Sequence, residues 1–474
     1  MTTCIRNANW VVEWSGGHRY RRGIDVAFDG GRITHVGPDY SGDVDVEVDG
    51  TDRMVMPGLI NMHCHPSGEP LKKGFREEFG NPQLWWSPLF DRSFIYHAGV
   101  EGQLASAEYA LCEMLLSGVT SVVDLSTPYD GWLDLLAASG IRAWATSMFG
   151  SAAWHTEDGH SVDYLWDEPA GLQALDDAIE LGEAADNHPS GRLSGMLSPV
   201  TVDLCTEELL VNSLEAASDH DWRIHIHAAQ SLPEFHEMTR RHGVTPIQWL
   251  DSIGVLGADS ILAHGMFIDA HSWTKWPTDL DRGILADSGT GLAHCPVVFS
   301  RHGQGVEDIG AYIRRGIQVG IGTDSYPHNL LEEIRTAATR GWMATSNVHS
   351  VSTGELFTAA TVGSSSILGR DDLGRIEVGA VADIVLVDLA HHSMSPVRDP
   401  LRSLIYTAAD RAVRDVFVDG HHVVQNGEVT TLDLVDATQR LQAAGEQAER
   451  DTASRHFAGR SARDLSPLTF PEID

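Results

Sequence analysis

What most constrains this chain is a texture that begins at Met54. Short apolar runs alternate with longer helical stretches as far as Asp324. Val55–Asn61 precedes the helical stretch Gly102–Ser117, and Thr120–Asp124 precedes Trp132–Ser139. Ile141–Thr146 leads through a long loop to Leu172–Ala185, and Arg223–Ala228 precedes Leu232–His242. Ser260–His264, Gly291–Cys295 and Gln318–Asp324 continue the series. These runs read as strands buried on both faces, as parallel sheets require. Strand and helix in turn predict α/β architecture, and about eight such units suit a (β/α)8 TIM-like barrel. We place that barrel at residues 57–372.

The flanks are different. Residues 1–56 carry short β-type runs (Val11-Val12, Ile24–Phe28, Arg32–Val36, Val44–Val48) punctuated by Gly16-Gly17 and Gly30-Gly31. β texture returns after Gly374 in Ala382–Asp388, Ala412–Val418 and His421–Val424, with Asp419-Gly420 as a turn. The two flanks are expected to pair into one composite β-sandwich, from residues 1–56 and 373–430, leaving 431–474 as a helical tail and arm.

In a parallel barrel the chemistry sits where strands end. The first strand ends in His63-Cys64-His65, whose imidazoles fall on one side of an extended chain and can reach one metal. Later strands end in His225-Ile226-His227, in His264 and in Asp324. Imidazoles plus a carboxylate suit a borderline divalent ion: zinc, iron, cobalt or manganese. One His-X-His pair among 24 histidines carries little weight. The weight lies in ligand types recurring at successive strand ends.

The run Pro57-Gly58-Leu59-Ile60-Asn61-Met62-His63-Cys64-His65 resembles the first-strand signature of the amidohydrolase superfamily. His227, His264 and Gly322-Thr323-Asp324 resemble its fifth, sixth and eighth strand ends, and Gly374–Asp383 resembles its return into the sandwich. The likeness spans about residues 5–430. In texture it is nearest the branch of S-adenosylhomocysteine and guanine deaminases, triazine chlorohydrolases, and phenylurea and thiocarbamate hydrolases. Pro199–Leu210, Ile261–Asp269 and Asp324–Asn329 carry that echo.

Binuclear members bridge two metals with a lysine of the fourth strand, and this chain has no lysine between Lys73 and Lys275. The resemblance therefore implies one divalent metal ion, zinc first, held by His63, His65, His227 and Asp324, with His225 as the alternative to His227. Such an ion lowers the pKa of a bound water toward neutrality. Asp324 would accept the water's proton and pass it to the leaving group, and His264 would orient the water or polarise the substrate.

Two positions depart from the deaminase pattern. Deaminases of the branch carry His-X-X-Glu after the fifth strand, where this chain has His227-Ala228-Ala229-Gln230. They carry Pro-His on the fourth, where this chain has Pro199-Val200. Gln cannot deliver a proton but can hydrogen-bond a carbonyl or an N–H. The pattern points to hydrolysis of a urea, amide, carbamate or thiocarbamate C–N bond in a small neutral molecule, with Gln230 beside Asp324 and His264 as catalytic. The alternative is a deaminase or chlorohydrolase of a purine, pterin or triazine. A third reading is a scaffold relative without catalysis.

The segment after His65 holds Phe75, Phe79, Trp85, Trp86, Phe90, Phe94 and Tyr96, as either a pocket wall or a packing surface. Trp85, Trp86, Phe299, His302 and Asn329 are the candidate substrate contacts. Cys64 is expected to pack away from the metal. The balance of 33 basic against 67 acidic residues gives a net charge of −34, which argues against nucleic acid and anionic membranes. Five scattered cysteines and an opening, MTTCIRNANW, without a secretory signal lead to an expected cytoplasmic location. A homo-oligomer, dimer or higher, is expected.

Overall fold

The computed structural model describes residues 1–75, 95, 98–155 and 162–473. Two of its sheets are parallel and four-stranded. One orders Leu193–Gly195, Arg142–Ala145, Val119–Asp124 and Leu59–Cys64; the other orders Ile224–Ala228, Ser260–His264, Gly291–His294 and Gln318–Ile321. Nearly every residue of these strands is buried, which is why the sequence shows continuous apolar runs there. Isolated parallel bridges join the sheets at both seams, Cys64 with Asp324 on one side and Leu197 with Ile224 on the other. Helices separate the strands, including Gly99–Leu116, Glu168–Asp186, Glu207–Asp219 and Leu232–His242.

The seven-stranded sheet takes strands from both ends of the chain. Arg53–Pro57 pairs antiparallel with Ile384–Asp388, in a register that sets Met56 opposite Val385. A second, four-stranded sheet comes wholly from the first 49 residues. Ile5, Val26, Phe28 and Ile33 of that sheet meet Val55, Ile384, Leu386 and Phe417 in one buried cluster. The alternation of inward apolar and outward polar residues on these short strands requires such a facing sheet.

The long loop expected before Leu172 contains a hairpin, Ala152–His155 antiparallel to Asp163–Trp166. Two aromatic donors hold it down: the Trp154 indole and the Tyr164 hydroxyl each donate to Asp203 Oδ2 at 2.9 Å. The tail forms the helix Leu434–Arg455, whose buried Ala437, Ala448 and Thr452 follow helical spacing. Arg440 on that helix pairs with Glu108 of the helix Gly99–Leu116. Among the described residues no helix is long and apolar enough to cross a membrane.

Candidate metal centre

The seam between the first and eighth parallel strands builds the site. The Asp324 amide donates to the His63 carbonyl at 2.8 Å, and the His65 amide donates to the Asp324 carbonyl at 3.1 Å. Beneath them, buried Asn61 accepts from the Thr323 amide at 3.0 Å and donates to the Thr323 hydroxyl at 2.9 Å. These bonds bring residues far apart in sequence to one point. Gly322 is part of the same closure: a Cβ there would meet His63 Cβ at 2.8 Å and the His63 backbone at 2.9 Å. Gly322→Ala is therefore expected to destabilise the protein by about 1–3 kcal/mol, since backbone cannot yield as a flexible side chain does. A thermal unfolding scan checks this, and an unchanged midpoint would show that the seam can open without cost.

Three non-glycine residues at these strand ends have left-handed backbone: Ala229 at φ 55°, His264 at φ 79° and Asp324 at φ 58°. Such conformations cost free energy and concentrate at functional sites, where the surrounding structure enforces them. Glu234 enforces the first. It lies at the third position of a helix capped by Ser231, and its carboxylate accepts from the Ala229 amide at 2.6 Å and the Gln230 amide at 2.9 Å. Burial, with Asp203 nearby, pushes Glu234 well above the usual carboxylate range. Glu234→Ala leaves two buried amides unpaired, and each costs about 1–3 kcal/mol. We expect lower stability in urea titration together with reduced kcat, because the turn that aims Gln230 loosens.

The arrangement of the imidazoles suits a cation. His65 Nδ1 lies 2.7 Å from the Leu125 carbonyl, and His227 Nδ1 lies 2.5 Å from the Val200 carbonyl. A carbonyl only accepts, so both Nδ1 atoms carry hydrogen, and in neutral rings both Nε2 atoms present lone pairs. Those two Nε2 atoms face each other at 3.3 Å. Two lone pairs at that distance repel unless a positive charge lies between them. Asp324 Oδ1 lies 3.3 Å from His65 Nε2 and 3.5 Å from His63 Nε2, and His63 is fully buried, with neither ring nitrogen hydrogen-bonded among the described residues. His63, His65 and His227 converge as a group able to hold a metal ion. The Nδ1 atoms of His65 and His227 on backbone carbonyls orient those two rings as metal-ligating histidines are oriented.

The electrostatics agree. Burial works to lower His65, yet Asp324 and Glu69 hold it above the ordinary imidazole value, so a proton is drawn to the same place. Burial and the neighbouring rings push His63 and His227 well down. Burial alone would raise Asp324, but the imidazoles around it hold its carboxyl well below the usual range. His264 lies behind this group, with Nε2 4.0 Å from Asp324 Oδ2, and burial pushes it down to about 4. His225 stacks on His63 at 4.9 Å, with Nε2 3.2 Å from the Met62 carbonyl.

Of the expected substrate contacts, Phe299 comes to the site, its ring 4.7 Å from that of His264. Buried Gln230 donates to the Thr201 hydroxyl at 3.3 Å. Asn329 is occupied elsewhere: its side chain caps the helix Leu330–Thr345, and its amide donates to Asp410 at 2.9 Å. His302 terminates the short helix Pro296–Arg301. Trp85 and Trp86 lie outside the described residues. Cys64 is buried against the Val123 carbonyl at 3.5 Å. Sequence reasoning missed Asn61, Glu69 and Glu234. The Ser325 hydroxyl, next to Asp324, donates to Glu69, which also pairs with Lys72. Only Asn61 carried a signal, as a polar residue inside an apolar strand.

Comparisons with known proteins point to one family. The chain is 29% identical over 442 residues to a 5-methylthioadenosine/S-adenosylhomocysteine deaminase of Haloarcula marismortui, covering 92% of this chain and 94% of the relative. It is 28% identical over 432 residues to a 5'-deoxyadenosine deaminase of Methanosarcina mazei, covering 89% and 93%. The crystal structure of an atrazine chlorohydrolase from Arthrobacter aurescens, complexed with zinc, matches with a TM-score of 0.79 at 27% identity, covering 94% of this chain and 100% of that one. The family model for the amidohydrolase family matches residues 54–423. With strand-end histidines converging on Asp324 and a match of that extent, the chain belongs to the amidohydrolase family and is a hydrolase of carbon–nitrogen bonds other than peptide bonds.

Proposed function

We propose that the chain holds one zinc ion per subunit and hydrolyses a small neutral urea, amide, carbamate or thiocarbamate. His63, His65, His227 and Asp324 would hold the ion, which when bound makes a water nucleophilic near neutral pH and polarises the substrate. The facing Nε2 lone pairs of His65 and His227, 3.3 Å apart, carry this reading. In the same reading the two parallel sheets are halves of one (β/α)8 barrel between the two parts of a β-sandwich. The bridges at both seams support it.

Asp324 takes the proton of the attacking water on its carboxylate and returns it to the departing amine. Neutral His264 donates or accepts one hydrogen bond to hold the water or the developing oxyanion. Phe299 packs His264 in place and excludes solvent from one side. Gln230 supplies an amide to a carbonyl or N–H of the substrate and no proton, which favours an acyclic substrate over an aromatic ring that must be protonated to lose aromaticity.

The second reading is loss of ammonia or chloride from an N-heterocycle. The deaminase relatives and the chlorohydrolase structure favour it. Elemental analysis of untreated protein, with a hydrolysis screen, decides between them. About one zinc per chain with amine released from phenylureas, anilides or carbamates supports the first. Ammonia or chloride released only from purines, pterins or triazines supports the second, and two metals per chain would sink the single-ion site. Light scattering on the same sample tests the expected homo-oligomer, dimer or higher.

A further inference from the structure

We propose that His63, His264 and Cys295 form a second metal site, for a thiophilic divalent ion such as cadmium, which competes with the hydrolytic ion for His63. The three residues end three different parallel strands, and ligand atoms of all three lie within 4.8 Å of one another. All are buried, His63 at 0%, His264 at 2% and Cys295 at 1% exposure. Among the described residues, neither ring nitrogen of His63 nor Nδ1 of His264 makes a hydrogen bond, and His63 Nε2 lies 3.5 Å from Asp324 Oδ1. The Cys295 thiol makes a long contact, 3.8 Å, to the Ala293 carbonyl. Buried imidazole nitrogens without partners are costly, and a metal ion relieves that cost.

Tetrahedral ligation at the usual metal–nitrogen and metal–sulfur distances places ligand atoms roughly 3.3–3.8 Å apart. A modest inward rotation of the side chains therefore closes the triad. Its chemistry differs from that of the site beside it. A thiolate selects soft ions, whereas three imidazoles and a carboxylate select borderline ones. When the ion binds, the Cys295 S–H proton leaves to solvent and a metal–sulfur bond forms, with no change of oxidation state. A neutral imidazole has one lone pair, so His63 serves one ion at a time. A soft ion at Cys295 thus withdraws a ligand from His65, His227 and Asp324. This competition rests on the proposed function in one respect, that His63 is a ligand of the hydrolytic ion.

The test is a cadmium titration of the whole, zinc-loaded protein. It follows thiolate-to-cadmium charge-transfer absorption in the ultraviolet and zinc release with a chromogenic chelator. The expected result is the thiolate band rising together with release of one zinc per chain. Cys295→Ala is expected to abolish the band and to raise the cadmium needed for zinc release by at least about tenfold, the scale on which loss of a supporting group weakens a metal site. Cys295→Ser, nearly isosteric, repeats the measurement if the alanine variant fails to fold. Zinc release without a thiolate band would overturn the proposal, since cadmium would then occupy the hydrolytic centre itself. A band that survives in both variants would assign it to another cysteine and also overturn it. Protein that carries no zinc as purified would sink the single-zinc function instead, and the thiolate band alone then decides the soft site.

Discussion

Asp324→Asn is expected to lower kcat/KM by about 10²–10⁴-fold, the range over which loss of a positioned acid–base group acts. The substitution keeps the shape of the side chain and its left-handed backbone, a conformation in which Asn and Asp are both tolerated. It removes the negative charge that faces His63 and His65 at 3.5 and 3.3 Å. Two consequences separate in measurement. If Asp324 chiefly carries the proton, zinc content stays near that of the parent while kcat collapses, because three imidazoles remain to hold the ion. If it chiefly holds the ion, zinc content and kcat fall together, and added zinc restores part of the rate. A variant with parental kcat/KM would remove Asp324 from the chemistry altogether.

That such a variant could be chosen from sequence has a physical basis. Two residues apart on an extended strand means the same side, so His63-Cys64-His65 placed two rings together and turned Cys64 into the wall, where it is buried. A strand buried on both faces has to end where polar side chains begin, so His227, His264 and Asp324 marked their strand ends without help from tertiary structure. Asn61 acts through Thr323, 262 residues away, and nothing local announces such a pairing. Glu234 reads as an ordinary residue in the first turn of a helix, and its role depends on a backbone turn that no pattern reveals. Asn329 shows the converse. Its sequence setting suits a substrate contact, yet the helix that starts at Leu330 takes its side-chain oxygen as a cap.

The pairing of the two chain ends was half legible for the same reason. β texture at both ends of the chain implied pairing between them, and Arg53–Pro57 does lie against Ile384–Asp388. That the earliest strands would form a separate sheet depends on register. Bulged pairings such as those of Thr2–Ala8 with Ile24–Asp29 set that register, and spacing does not encode it.

Gln230→Glu is expected to confer or raise ammonia release from aminated purine nucleosides by at least about 10²-fold, the lower end of what general acid catalysis contributes. The position is buried, and Glu234 accepts the backbone amide of residue 230 itself. A carboxyl placed there is desolvated, which holds it above its usual range and favours its protonated form near neutral pH. It would then hold the proton that a ring nitrogen needs as water adds to the adjacent carbon. The same change should slow acyclic amide or urea hydrolysis, because the neutral amide that now donates to Thr201 gives way to an acid with different hydrogen-bonding demands. Assay of parent and variant against one nucleoside and one phenylurea reads both effects together. A gain on the ring with a loss on the urea would make residue 230 the selector between the two chemistries. A parent that already deaminates the nucleoside as fast as the variant would show that the proton comes from elsewhere, and the acyclic reading would fall with it.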